Sequence, residues 1–162
     1  DGENDEISFG NTLGNFGTND FTIEFWLRRD GTPTDNEIIL GKRPECGAGT
    51  NFFNIYMRPN GTVAAEFSGD NGADIFNIFN NSINFADGNW HHFAMRRNGN
   101  DFRIRYDGNS NWNITNRPGI DINNTANLMI GENPCSFLKF NGQMDELRIW
   151  DHYRDNNTIS EF

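Results

Sequence analysis

The sequence predicts an antiparallel all-β domain, a two-sheet sandwich or jelly roll, and three observations carry that reading. Short stretches alternate apolar and polar residues with the period of a strand, most clearly at residues 21–27, where Phe21, Ile23, Phe25 and Leu27 share one face. Asx-Gly pairs punctuate the chain at close spacing: Asp30-Gly31, Asn60-Gly61, Asn98-Gly99, Asp107-Gly108 and Asn141-Gly142. Such pairs adopt tight turns cheaply, because both residues tolerate positive φ. Fifteen Phe and an aromatic share of 14%, set against few Leu and Ala, favour pleated strands over helices.

Taken in order, the strand at 21–27 ends at Asp30-Gly31, and 37–40 is a short apolar strand. Residues 52–58 and 63–68 flank Asn60-Gly61, the strongest hairpin signal in the chain. Ile75, Phe79, Ile83 and Phe85 lie in a less regular, Asn-rich region. A second hairpin joins 90–97 to 102–106. Residues 109–125 read as a polar loop, 128–130 as a strand, and a long loop then leads to residues 141–150. After Asp155 a short helical turn is expected.

A chain of 162 residues supports one well-buried core and hence a single domain over 1–162. The formal net charge of −10 argues against nucleic acid and against anionic membrane surfaces as partners, and is compatible with calcium. No apolar run reaches transmembrane length. The opening on Asp1-Gly2, with no leader-like stretch, leads us to expect a mature or excised domain. Two cysteines suffice for one bridge.

The stretch Asn-Gly-Gln-Met-Asp-Glu-Leu-Arg-Ile-Trp at 141–150 reads as the closing long strand. On period-2 alternation Asp145 shares a face with Leu147 and Ile149. A carboxylate pointed inward there is costly unless a cation meets it.

Six segments occur in the order found in laminin-G-like jelly rolls of the concanavalin A-like, pentraxin-related type. They are Asp1-Gly-Glu-Asn-Asp-Glu-Ile7, Asp20-Phe-Thr-Ile-Glu-Phe-Trp26, Gly88-Asn-Trp-His-His92, Ile104-Arg-Tyr-Asp-Gly108, Leu128-Met-Ile-Gly131 and Gly142-Gln-Met-Asp-Glu-Leu-Arg-Ile-Trp150. The chain resembles that family over nearly its whole length. The resemblance implies two sheets of roughly six or seven strands each, one face convex and one concave. It does not fix one function, because this fold hosts lectins, adhesion modules, glycosidases and spacers.

Glycosidases of this fold carry acids at Glu-x-Asp-x-x-Glu spacing, and no such triplet occurs. Asp145 and Glu146 are adjacent, so they point to opposite faces and cannot flank one glycosidic bond. His91 and His92 fail as a pair for the same reason, and are expected to pack and hydrogen-bond. The expectation is therefore a non-enzyme that binds a glycan or polysaccharide. The rival reading is a structural or protein–protein module, joined to other domains of a larger surface protein. Sugar recognition needs an aromatic plate beside planar amides and charged groups. Trp112, rimmed by Asn109, Asn111 and Asn113, is the first choice for the plate, with Tyr56, Phe76 and Phe79 behind it. Arg58, Arg103 and Arg105 are expected to reach acidic sugars from a sheet face.

The resemblance also implies two tie points. Cys46 and Cys135 lie in loops that follow Leu40-Gly41 and Ile130-Gly131 and that related jelly rolls bring to one end of the sandwich. In pentraxins these loops carry acidic calcium ligands, so we expect a disulfide here in place of that calcium pair, in an extracellular or cell-surface protein. In calcium-containing relatives an Asp opening the final long strand binds a structural ion beside the amino-terminal segment. That role falls to Asp145. Asp5 and Asn4 from the 1–6 loop, and backbone carbonyls around Gly41 and Lys42, are the expected companions. Hard oxygen donors of this kind favour calcium.

Overall fold

The fold is described from a computed structural model, which covers residues 5–47, 49–109, 113–135 and 137–159, the side chains of 113 and 114 excepted. Twelve strands are present among these residues: β1 (Ile7–Ser8), β2 (Phe21–Asp30), β3 (Glu37–Lys42), β4 (Phe52–Met57), β5 (Val63–Gly69), β6 (Asp74–Phe79), β7 (Asp87–Asn98), β8 (Asp101–Tyr106), β9 (Asn113–Asn116), β10 (Met129–Ile130), β11 (Leu138–Lys139) and β12 (Gln143–Trp150). A single helical turn, α1 (Asn156–Ile159), follows them as expected.

They form the two-sheet jelly-roll sandwich that the sequence predicts. One sheet runs β1-β10-β3-β4-β5-β6, with β11 added to β3 in parallel; the other runs β12-β2-β7-β8-β9. The seven-and-five division is less even than the resemblance implies. Between the sheets, Phe21, Ile23, Phe25 and Leu27 of β2 meet Phe53 and Ile55 of β4, Ala65 and Phe67 of β5, and Phe102 and Ile104 of β8, all fully buried. Phe67 and Phe102 meet edge to face at 4.7 Å, a geometry that suits the ring quadrupoles.

Two strands lie where the sequence shows no regular alternation. β6 places Phe76 and Ile78 inward, but its outward residues include Ile75 and Phe79, both exposed. An edge strand that is apolar on both faces has no period-2 signature. β9 lies inside the stretch read as loop, and its register against β8 carries the assignment.

The disulfide is present: Cys46 and Cys135 are bonded across 89 residues, with Cα atoms 4.9 Å apart. On the chain-entropy model, closing a loop of that size stabilises by about 4–5 kcal/mol.

The parity of β12 differs from the sequence expectation. Asp145 pairs with Trp26 and Arg148 with Glu24, so Glu146 and Leu147 together oppose Phe25 alone. Glu146 holds φ at 54°. This β-bulge reverses the alternation: Met144, Leu147 and Ile149 pack on the core, whereas Asp145 is exposed. Gly142 is needed for space rather than for positive φ. A Cβ there would lie 2.5 Å from the Arg28 carbonyl and overlap the Phe140 ring.

Candidate functional site

The two sheets present very different outer faces. On the seven-stranded sheet, outward residues of neighbouring strands line up in rows. Gly41, Asn54, Glu66 and Asn77 share one row, and Ile38, Tyr56, Ala64 and Phe79 share the next. Asn54 Nδ2 donates to Glu66 Oε2 at 3.3 Å, and the Tyr56 hydroxyl donates to Asn77 Oδ1 at 3.2 Å. Burial, followed by the nearby Glu66 charge, raises the Tyr56 pKa; the hydroxyl therefore stays protonated and able to donate. Arg58 lies over the Phe79 ring at 4.4 Å and donates to Asn81 Oδ1.

The disulfide loops wall one side of this face. Phe137 packs on Tyr56 at 5.2 Å, and Asn133 Nδ2 donates to Asn54 Oδ1 at 3.0 Å. From the other loop, Arg43 covers Phe52 at 3.7 Å and pairs with Glu66 at 3.3 Å. Beyond the wall the face is open: Asn77, Phe79 and Asn81 are exposed, and Glu66 is partly so. Its chemistry is an apolar plate beside amides, a hydroxyl and one carboxylate.

The outer face of the five-stranded sheet is covered by the chain's own last segment. Arg96 is 1% exposed; it stacks on Tyr153 at 4.4 Å and donates to the Arg154 carbonyl and to Asn156 Oδ1. Arg154 pairs with Glu24, and its guanidinium lies over Trp150 at 4.6 Å. Glu24 is 1% exposed, and desolvation raises its pKa despite Arg154. His92 packs against Trp26 at 5.2 Å, and burial depresses its pKa to about 4. Its neighbour His91 points to the other face and accepts a different environment. Its ring nitrogens meet Asp107 at 2.8 Å and Asp87 at 3.0 Å. Burial opposes the charge on His91, but the two carboxylates outweigh it and raise the pKa. Both histidines thus pack, and the His91 ring hydrogen-bonds, as expected.

The residues expected to bind a ligand are therefore divided. Tyr56 and Arg58 stand on the open face. Arg103 and Arg105 belong to the opposite sheet, and there Arg105 is buried, donating to the carbonyls of Gly108, Asn109 and Asn156. A guanidinium held by three carbonyls is a structural staple, which corrects the expectation that Arg105 reaches out to acidic sugars. Arg103 pairs with Asp101 at 2.8 Å. Phe76 faces the core. Trp112 and Asn111 lie outside the described residues, as does the Asn113 side chain. Asn54, Glu66, Asn77 and Arg43 are the functional candidates that sequence reasoning missed. A signal existed: once Asn60-Gly61 fixes the hairpin register, Asn54 falls opposite Glu66, on the face away from Phe53, Ile55, Ala65 and Phe67.

The residues expected around a metal divide as well. Asp5 and Asp145 line one groove of about 440 Å³, together with Glu6 and Glu146. Gly41 and Lys42 do not line it. Lys42 is fully buried, its ammonium donating to the carbonyls of Asn11 (2.8 Å) and Ala126 (2.5 Å), and its own carbonyl accepts from Asn124. Gly41 sits inside the sheet between Asn54 and Met129. Asn4 lies outside the described residues. Among the described residues no cluster of three His, Cys, Asp or Glu side chains has the spacing of a metal site.

A two-sheet antiparallel jelly roll is the architecture that the resemblance to concanavalin A-like proteins implies. The family model for laminin G-type domains of the concanavalin A-like lectin/glucanases superfamily matches residues 1–160, and the chain belongs to that family. No curated protein matches the chain. Membership supports a carbohydrate-binding type of fold, in a superfamily that also includes glucanases. The disulfide fits an oxidising compartment. No helix among the described residues is long and apolar enough to cross a membrane.

Proposed function

We propose that this domain is an extracellular, non-enzymatic glycan-binding module that holds a neutral glycan on the outer face of its seven-stranded sheet. The observation that carries the reading is the pair of Glu66 and Asn77 in one row, with Asn54 buried behind them, beside Tyr56 and the exposed ring of Phe79 in the next. A pyranose offers an apolar face for such a ring and equatorial hydroxyls for planar amides and a carboxylate. The cations favour a neutral ligand over an acidic one, because each is engaged within the protein: Arg58, on the face itself, stacks on Phe79 and donates to Asn81. Arg43 is already paired with Glu66, and Arg105 is committed to backbone carbonyls on the other sheet. The row supplies one carboxylate, where glycoside hydrolysis uses two, so binding rather than cleavage is the function. A glycan array tests this. We expect neutral oligosaccharides to bind the wild type with micromolar-to-millimolar affinity, because a shallow face buries little surface, and Glu66→Gln to lose about tenfold. An array blank for neutral and acidic glycans alike would favour the spacer or protein–protein reading.

The proposal includes a structural calcium ion bound by Asp5 and Asp145, with Asn4 close by in the chain. Its support is that the two carboxylates line one groove and that hard oxygen donors suit calcium. Gly41 and Lys42 take no part in it. An ion there would join the first and last strands, and its role would be stability. At free calcium about 100 times the dissociation constant it adds about 2.7 kcal/mol, a melting shift of about 5–10 °C for a chain of this size. Melts in calcium and in chelator, for wild type and Asp145→Asn, decide it: equal wild-type melts in both would reject the ion.

A further inference from the structure

The outer face of the seven-stranded sheet is not equally open in all directions. On β4 the outward residues Phe52, Asn54 and Tyr56 are all buried, beneath Arg43, Asn133 and Phe137 of the disulfide loops. On β5 the outward residues Ala64 and Ser68 are fully buried as well, and only Glu66 reaches solvent. β6 is the exception. Its outward residues Ile75, Asn77 and Phe79 are all exposed, Ile75 at 47% and Phe79 at 37%. The register puts them on one face, opposite Ser68, Glu66 and Ala64 in turn. The open surface is therefore a strip one strand wide, with Glu66 at the middle of its inner border.

The strip has a pattern as well as a direction. Two apolar side chains flank an amide, and at about 3.3 Å per residue the four steps from Ile75 to Phe79 span about 13 Å. One pyranose ring is too short to touch both. Glu66 stands opposite Asn77, so an amide and a carboxylate meet a ligand between the two apolar contacts. The three outward side chains of β6 carry no charge, and Glu66 pairs with Arg43 at 3.3 Å. The outer edge of β6 is obstructed: there it meets β9 of the second sheet, and Arg117 pairs with Asp74 at 3.3 Å and lies over Phe76 at 4.7 Å. A ligand thus lies on the side chains of β6 rather than adding a strand to its backbone.

We propose that the face takes a linear, extended, neutral glycan chain lying parallel to β6, and that the unit it recognises is about three consecutive sugars, the length that reaches both apolar contacts. This inference rests on the glycan reading above and adds the ligand's length and direction. The outer sugars lay their apolar C–H faces on Ile75 and Phe79, and the central sugar turns its hydroxyls to Asn77 and Glu66. A chain crossing the strands would run into Phe137 and Asn133, which stand over β4. A branched or sharply bent glycan would carry its next sugar off the strip and keep one apolar contact. A single sugar is held at the Phe79 end, where the ring is the broader plate.

Size ladders test this: cello-, xylo- and manno-oligosaccharides, from the single sugar to the hexamer, titrated calorimetrically against the intact protein. At least one ladder should gain about tenfold in affinity between the single sugar and the trimer and level off beyond it, since the second apolar contact adds the worth of one or two buried methylenes. Ile75→Thr keeps the β-branched shape that suits a strand and replaces the apolar tip with a hydroxyl. It should weaken the trimer about fourfold, the equivalent of one buried methylene, and leave the single sugar unchanged. Phe79→Ala should weaken every length. The ratio of trimer to single-sugar affinity is read on one preparation, so a partly unfolded variant does not distort it. Two results would overturn the proposal: ladders that are flat or bind at no length, or a ratio in Ile75→Thr equal to that of the wild type. If a glycan array is then positive for single or branched sugars, this inference fails and the glycan reading stands. A blank array would sink both.

Discussion

The outer faces of the two sheets differ in what satisfies their polar groups. On the five-stranded sheet the buried charges of Glu24, Arg96 and Arg105 are answered from within. Glu24 meets Arg154, Arg96 meets the carbonyl of Arg154 and the amide of Asn156, and Arg105 meets three carbonyls. On the seven-stranded sheet Asn54 is buried and answered by Glu66 and by Asn133 of the disulfide loop, and Arg43 pairs with Glu66, but Asn77 is exposed and Glu66 partly so, and their outward hydrogen-bonding capacity faces solvent. A buried charge must be paired where it sits, whereas a half-solvated amide keeps lone pairs and donors for a ligand. Polar residues on a sheet face therefore do not by themselves mark a site. Those with capacity left over do.

The sharpest way to break the comparison is to unclip the covered face. Arg96 is fully buried between β7 and the closing segment. Arg96→Ala leaves a cavity beneath Tyr153 and strips donors from the Arg154 carbonyl and the Asn156 side chain. A loss of about 4 kcal/mol is expected, about 10 °C in melting temperature, with glycan affinity unchanged. A variant of normal stability, or one that lost glycan binding while still folded, would contradict the assignment of structure to one face and recognition to the other.

A somewhat smaller effect separates the adjacent histidines by pH. His92 faces Glu24 and Trp26, with Asp107, Arg105, Arg148 and Arg154 around it. Burial holds its pKa at about 4, below the ordinary 6.5. Between those values the unfolded chain binds more protons than the folded one, so stability rises with pH. The contribution of the neutral ring is complete above about pH 6.5 and is lost as pH falls towards 4. It amounts to about 3 kcal/mol. His91 has the opposite sign. Clamped between Asp87 and Asp107, its pKa is raised, so its contribution is present below pH 6.5 and lost as pH rises through the folded value. Denaturant midpoints across pH 4–9 should therefore pass through a maximum near the ordinary histidine pKa. His92→Asn should flatten the acid limb and leave the alkaline limb alone. An acid limb unchanged in that variant would show that His92 does not cause it.

The fold was largely legible in the sequence because β2 and β8 alternate apolar with polar residues, and Asx-Gly turns mark the two hairpins, β4 with β5 and β7 with β8. β6 was not legible, since Ile75 and Phe79 face solvent and cancel the alternation. Asp145 misled for a definite reason. Alternation assumes an unbroken strand, and one extra residue at Glu146 reverses every side chain before it. The arginines misled for another. Composition counts 13 basic residues, but only packing reveals that Lys42, Arg96, Arg97 and Arg105 are spent on backbone carbonyls of loops. Of the expected ligand residues, Tyr56, Arg58 and Phe79 fall together because they lie in one sheet. Asn54 and Glu66 needed the hairpin register, which the Asn60-Gly61 turn supplies.

The smallest expected effect tests the open face alone. Phe79 is 37% exposed on edge strand β6, one side of its ring covered by Arg58. Exposure makes the ring cheap to remove. Substitutions at surface positions stay within about 0.5 kcal/mol, which for this length keeps the melting temperature within about 2 °C. Its worth to a ligand is larger than its worth to the fold, since an aromatic plate contributes about 0.5–1.5 kcal/mol beyond the area it covers. Phe79→Ala should therefore weaken glycan binding about five- to tenfold and leave the melt in place, measured by calorimetric titration and thermal melts on one preparation. The rank of the two readouts decides the matter. Binding lost with stability kept marks Phe79 as part of a recognition surface. Stability lost with binding kept would mean that this ring, like Arg96 on the opposite sheet, serves the fold, and that the open face is not where the glycan sits.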